Sequence, residues 1–146
     1  MSRYKPTQAE IKKVIEYAIK AEPYYRSNSR ERKEKIKNIT MGKLAELSFC
    51  SIDGNSTLPV DWLTPSELPD PGWDLVRENG NRIQVKLIQE GAKWVEWKSW
   101  YWEELAIMKF EQDQYSLIRI LDREEVNRIA KKSKFQGWYL DVRSIS

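Results

Sequence analysis

Two short runs of alternating apolar residues, 73–78 and 82–88, flank the dipeptide Asn79-Gly80, and this pairing limits the chain more than any other feature. Asn-Gly between alternating runs is a strong hairpin signal, because both residues tolerate the positive φ of a tight turn. Which faces the hairpin presents depends on the turn. A symmetric two-residue turn pairs Asp74 with Val85 and sends Asp74 to the face opposite Gln84 and Lys86. A three-residue connection, or a bulge at Gly80, pairs Asp74 with Lys86 and Val76 with Gln84. The second register gathers Trp73, Leu75, Ile83, Val85 and Leu87 on one apolar face and Asp74, Gln84 and Lys86 on the other, and is the one expected.

Upstream, Thr7 and Glu10 have the spacing of a capping box, and Ile11, Val14, Ile15, Ala18 and Ile19 recur at helical intervals. They predict a helix that stops before Pro23. A charged helical pattern resumes over 30–37, with Ile36, Ile39, Leu44 and Leu47 lining its buried side and Gly42 interrupting it. Residues 51–72 are turn-rich, with Asp53-Gly54-Asn55 and Pro59, Pro65, Pro69 and Pro71, leaving room for a short strand near 58–63. Downstream the patterns predict a helix over 103–110 and a strand over 115–121. Asp122 with Glu125 then caps a helix reaching about Lys132, and an edge strand follows over 138–142. The sum is one α/β domain over 1–146, a mixed sheet flanked by helices.

Composition narrows the chemistry. Histidine is absent and Cys50 is the lone cysteine, which excludes internal disulfides, Cys/His zinc sites and Ser-His or Cys-His triads. Hydrolysis would have to rest on carboxylates, lysines, hydroxyls and a hard, oxygen-bound cation. No apolar run of about 18 residues and no signal-peptide pattern is visible, so the expected location is cytoplasmic, without membrane contact. Charge is uneven: residues 1–43 carry 12 Lys or Arg against five Glu, a surplus of +7, which leaves −4 for the remainder of a +3 chain. A basic face from the N-terminal segments suits a polyanion, and acidic residues elsewhere suit a metal.

Three pieces in this order carry a resemblance: Gly42-Lys43-Leu44-Ala45-Glu46, Pro71-Gly72-Trp73-Asp74 and Ile83-Gln84-Val85-Lys86. Over residues 40–88 the chain resembles the PD-(D/E)xK nuclease superfamily, which includes restriction enzymes, small homing endonucleases and Holliday-junction resolvases. The first piece is similar to its helical Gly-x-x-x-Glu element, the second to the approach to its metal-binding aspartate, and the third to its terminal motif. Gln84 departs from the pattern, standing where an acidic residue is commoner, and offers a metal only a carbonyl oxygen.

The resemblance implies a restriction-endonuclease-like fold and a Mg2+-dependent DNA endonuclease of homing or restriction type. A Holliday-junction resolvase or a nonenzymatic nucleic-acid-binding or interaction protein are the alternatives. Asp74, Glu46 and the Val85 carbonyl would hold the cation, with help from Gln84, and Lys86 would orient the attacking water. Cutting both antiparallel strands of DNA implies a homodimer or higher homo-oligomer. The phosphate-contacting residues expected are Arg26, Arg30, Arg32, Lys33, Lys35, Lys37 and Lys43. Trp94, Trp97, Trp100, Tyr101 and Trp102 either stack on bases or wedge into a deformed duplex, or build the core or a subunit interface.

Overall fold

The structure, a computed structural model, describes residues 2–25, 31–66, 71–88, 91–134 and 137–145. Its elements run β1 (Arg3–Tyr4), α1 (Gln8–Ala21), a 3-10 turn (Glu22–Tyr24), α2 (Arg32–Asp53), β2 (Ser56–Thr57), β3 (Leu75–Arg77), β4 (Arg82–Ile88) and β5 (Trp94–Trp97). They continue with β6 (Glu104–Glu111), β7 (Gln114–Asp122), α3 (Arg123–Ile129), β8 (Lys131–Lys132), β9 (Trp138–Asp141) and a final 3-10 turn (Val142–Ser144). Six strands form one mixed sheet in the order β1-β7-β6-β4-β3-β2, in which β4 and β6 are parallel, and β5, β9 and β8 form a second, three-stranded sheet. The fold is mixed α/β. Among the described residues no helix is long and apolar enough to cross a membrane.

Both capping boxes form: Thr7 with Glu10 opens α1, and Asp122 with Glu125 opens α3. The buried stripe of α1 is Val14, Tyr17, Ala18 and Ala21, rotated from the expected one, so that Ile15 and Ile19 stay 39% and 45% exposed. Helix α2 runs through Gly42 without interruption for 22 residues and ends on Gly54 at φ 75°, a left-handed cap that glycine accepts without a Cβ clash.

Other expectations are corrected. Residues 103–110 are not helical: Glu103 precedes β6 and the rest belong to it, with its centre, Leu105 to Met108, buried on both faces, Ala106 and Met108 turned to one core cluster and Leu105 and Ile107 to another. A strand covered on both sides is a continuous apolar run, and period alone does not separate it from a helix. Helix α3 stops at Ile129 instead of near Lys132, because Lys131 and Lys132 pair with β9. That pairing puts β9 between β5 and β8, at the centre of its sheet and not at an edge. The short strand lies at Ser56–Thr57, ahead of residues 58–63.

The hairpin closes through three residues: the Arg77 N–H donates to the Asn81 carbonyl at 2.8 Å, and the Gly80 N–H to the Arg77 carbonyl at 2.9 Å. Gly80 takes φ 90°. Leu75 pairs with Ile83 and Val76 with Arg82, two residues away from the expected Val76–Gln84 register. A slip of two preserves the faces, since side chains alternate with a period of two. Leu75, Ile83 and Val85 accordingly pack on α1 and α2 through Val14, Leu44, Ala45 and Phe49. Trp73 leaves the expected face: it precedes the strand and joins the opposite cluster with Trp97, Trp102, Leu105 and Ile107.

Candidate active site

Asp74 sits where β3 has not yet begun, beside a β4 that continues past it. Its backbone N–H donates to the Ile83 carbonyl at 2.7 Å. Its carboxylate Oδ2 accepts from the Gln84 amide at 3.0 Å and from the Val85 N–H at 2.7 Å. A strand residue directs its N–H and C=O to the same edge, so the Val85 carbonyl faces the Asp74 side as well. Asp74 and Gln84 are thereby joined at one point of the hairpin. Lys86 lies two residues beyond Gln84 on the same face of β4, and its ammonium makes no ion pair among the described residues.

Helix α2 packs on the other face of the sheet, with Ala45 and Phe49 buried against Leu75, Ile83 and Val85. Its direction follows from two anchors. The Arg77 guanidinium bonds Asp53, at the helix C-terminus, at 2.6 and 2.7 Å. Met41 and Leu44 share a groove wall with Phe110 and Tyr115, at the far end of β6 and β7. Helix α2 therefore runs in the sense of β3. Asp53 and Glu46 are seven residues apart, about 10 Å and close to two turns, hence one helix face. Arg77 and Asp74 are three residues apart, at most about 10 Å along the chain. Glu46 belongs to α2, which covers the face of the sheet carrying Leu75, Ile83 and Val85, whereas Gln84 and Lys86 lie on the opposite face.

Gln84 and Lys86 open into a cleft of about 810 Å3 between the two sheets, lined also by Tyr25, Gly72, Glu96, Lys98, Ser99 and Tyr101. Glu96, Lys98 and Ser99 carry no motif spacing and were not among the expected site residues. Val95 and Trp97 are buried in the core while Glu96 between them is exposed, and this alternation in β5 is the signal that points Glu96 outward.

The basic residues divide among different surroundings. Arg32 and Lys35 reach Glu22, a buried glutamate, at 3.7 and 3.0 Å. Lys33 and Lys37 rim a largely apolar groove of about 550 Å3 between α1, α2 and the β6–β7 turn. Lys43 turns inward: its ammonium donates to the Trp62 carbonyl at 2.9 Å, lies 4.0 Å from Glu46 and sits over the Tyr17 ring. Arg26 and Arg30 lie outside the described residues. On the hairpin, Arg82 is held by Glu103 at 2.7 Å, and that hydrogen bond keeps the Glu103 carboxyl below its ordinary range.

The tryptophans sort cleanly. Trp97 and Trp102 are core, and Trp100 packs against them with its ring stacked on Trp102 at 5.3 Å. Tyr101, between Trp100 and Trp102, is 64% exposed. Trp94 is 50% exposed.

The ligands expected, Asp74, Glu46, Gln84 and the Val85 carbonyl, would each offer oxygen, which in kind suits a hard cation such as Mg2+. Among the described residues there is no group of three or more His, Cys, Asp or Glu that could hold a metal ion, so the expected set relies on neutral oxygens for half its members. No protein-family model matches the chain, and no curated protein matches it.

Proposed function

We propose that this protein is a Mg2+-dependent DNA endonuclease with a restriction-endonuclease-like fold. The observation that carries the reading is the junction at the open end of the hairpin, where Asp74 binds Gln84 and the Val85 N–H beside a cleft that holds Lys86. Support also comes from the sheet, in which an antiparallel hairpin is followed by a parallel strand, β4 beside β6. Asp74, Glu46 and the Val85 carbonyl would hold the cation. When bound, the ion supplies positive charge against the phosphate and lowers the pKa of water. Lys86 orients the attacking water and offsets the negative charge that accumulates on the phosphodiester. Gln84 fixes the Asp74 carboxylate and brings no charge of its own. A homodimer would carry a second such site across its two-fold axis.

One feature favours a second reading, a DNA-binding protein without catalysis: the neutral Gln84 stands in the ligand set. The deciding experiment incubates purified protein and Mg2+ with duplex, nicked, branched and single-stranded DNA. Cleavage is expected, and Asp74→Ala and Lys86→Ala should each lower it by about 10²-fold or more with the fold retained by circular dichroism. Wild-type rates in both variants would remove these residues from the chemistry. Binding without cleavage of any substrate would establish the second reading.

A further inference from the structure

We infer that the cleft beside Lys86 takes an unpaired nucleotide of a DNA strand with its base stacked on Tyr101, so that the preferred substrate is single-stranded or locally unpaired DNA. The inference rests on the nuclease reading for the choice of DNA, and it adds the substrate class of the same site.

Tyr101 is built as a platform. Its neighbours Trp100 and Trp102 are packed in the core, and the Trp102 indole N–H donates to the Ser99 carbonyl at 2.9 Å. The loop is therefore fixed on both sides of a ring left 64% exposed, and Tyr101 has no hydrogen-bond partner among the described residues. A rigid, exposed aromatic with few rotatable bonds loses little entropy on contact. The ring is seated by Gly72. A Cβ on Gly72 would lie 2.5 Å from Ser99 Oγ and 3.1 Å from Tyr101 Cδ2, and the residue holds φ 90°. Tyr101 thus rests on the backbone two residues before Asp74, beside the proposed chemistry.

The rest of the lining fits one nucleotide in a strand. Tyr25, 44% exposed, adds a second aromatic surface, and Lys86 and Lys98 supply charge for the flanking phosphates. Glu96 opposes them. A volume of about 810 Å3 falls within the roughly 300–1,000 Å3 of pockets that enclose small molecules, enough for a nucleotide or two. An intact duplex instead demands a broad track of available cations, and two of the basic run, Lys35 and Lys43, are turned into the protein on Glu22 and the Trp62 carbonyl.

The test uses the full chain in chelator at low salt, where cleavage cannot contribute, with oligonucleotides carrying 2-aminopurine. Three probes of equal length are compared: single-stranded, duplex with the fluorescent base in a one-base bulge, and fully paired duplex. Quenching and about 10-fold tighter binding are expected for the two unpaired probes. Tyr101→Ala should lose about 10-fold on these and under about twofold on the paired duplex, Tyr101→Phe should retain both, and Glu96→Gln should tighten all three. Thermal melting of each variant checks the fold. Equal affinity for paired and unpaired probes, or a Tyr101→Ala loss common to all three, would overturn the inference. Mg2+-dependent cleavage alongside that result would leave the nuclease reading intact, whereas selective binding with no cleavage of any substrate would sink the nuclease reading alone.

Discussion

Replacing Arg77 by methionine tests how α2 is held against the hairpin. The guanidinium bonds Glu104 of β6 at 2.6 Å and Asp53 of α2 at 2.6 and 2.7 Å, joining three elements at one end of the sheet. The side chains of Arg77, Asp53 and Glu104 are only 15%, 9% and 15% exposed. The bond to Glu104 raises the guanidinium pKa more than any other influence, burial opposes it, and the bond to Asp53 adds to the rise. Methionine keeps the apolar stem and leaves two nearly buried carboxylates without their cation. Losing one partner of a buried pair costs about 3–5 kcal/mol. The Asn81 amide still reaches Glu104 at 3.3 Å and the rim is wet, so the lower end, about 3 kcal/mol, is expected. For a domain of this size that lowers Tm by about 9 °C. The assay is thermal melting followed by circular dichroism for the single variant and for the triple variant Arg77→Met, Asp53→Asn, Glu104→Gln. Neutralising both acids should recover about half of the loss, because the uncompensated charges are gone. A single variant melting within about 2 °C of the parent, or a triple variant no more stable than the single, would refute the electrostatic account.

Gly72→Ala should cost about 1–2 kcal/mol of stability from the positive φ alone. By displacing Ser99 and Tyr101, it should also weaken unpaired 2-aminopurine DNA as Tyr101→Ala does, and undiminished quenching would show that Gly72 does not seat the ring. Burial pushes the Tyr115 phenol above its ordinary value of 10.0. Here the folded state keeps a proton that the unfolded chain releases, so this stabilisation is complete below about pH 10 and is lost as pH rises toward the folded-state value. Denaturant midpoints at about pH 9 and about pH 11 should therefore differ less in Tyr115→Phe than in the parent; identical alkaline losses would exclude Tyr115 as the source.

The helix starts were legible because caps are local: Thr7–Glu10 and Asp122–Glu125 each satisfy backbone donors within four residues. The β4 boundaries were equally local, set by alternation between Asn79-Gly80 and Ile88. What failed was tertiary. Residues 103–110 read as a helix because a strand covered on both faces has no polar side to betray its period. The hairpin faces were right while the register was off by two, since apolar alternation is blind to an even slip. On the hairpin, the shared face of Gln84 and Lys86 was readable from their spacing, and the turn does bring Asp74 to Gln84. The division of the basic run was not readable, because Glu22 lies 10 residues from Arg32 and 13 from Lys35 and only the α1–α2 packing brings them together. Nor does any local spacing show that β5 carries Glu96 and Lys98 to the same cleft as Lys86.

The parallel pair β4–β6 has a consequence for the order in which the molecule assembles. The β3–β4 hairpin closes through three residues and forms at small entropic cost, whereas β6 can join β4 only after the intervening stretch, which carries β5 and the Tyr101 loop, has been looped back. That stretch is also the far wall of the cleft. Asp74 and Gln84 meet within the hairpin, but the proposed nucleotide cleft would form only once the non-local β5–β9 pairing is made. Partial opening of the three-stranded sheet would then dissolve the proposed nucleotide cleft while the hairpin stays closed, and hydrogen exchange in β5 and β9 faster than in β4 would report that opening.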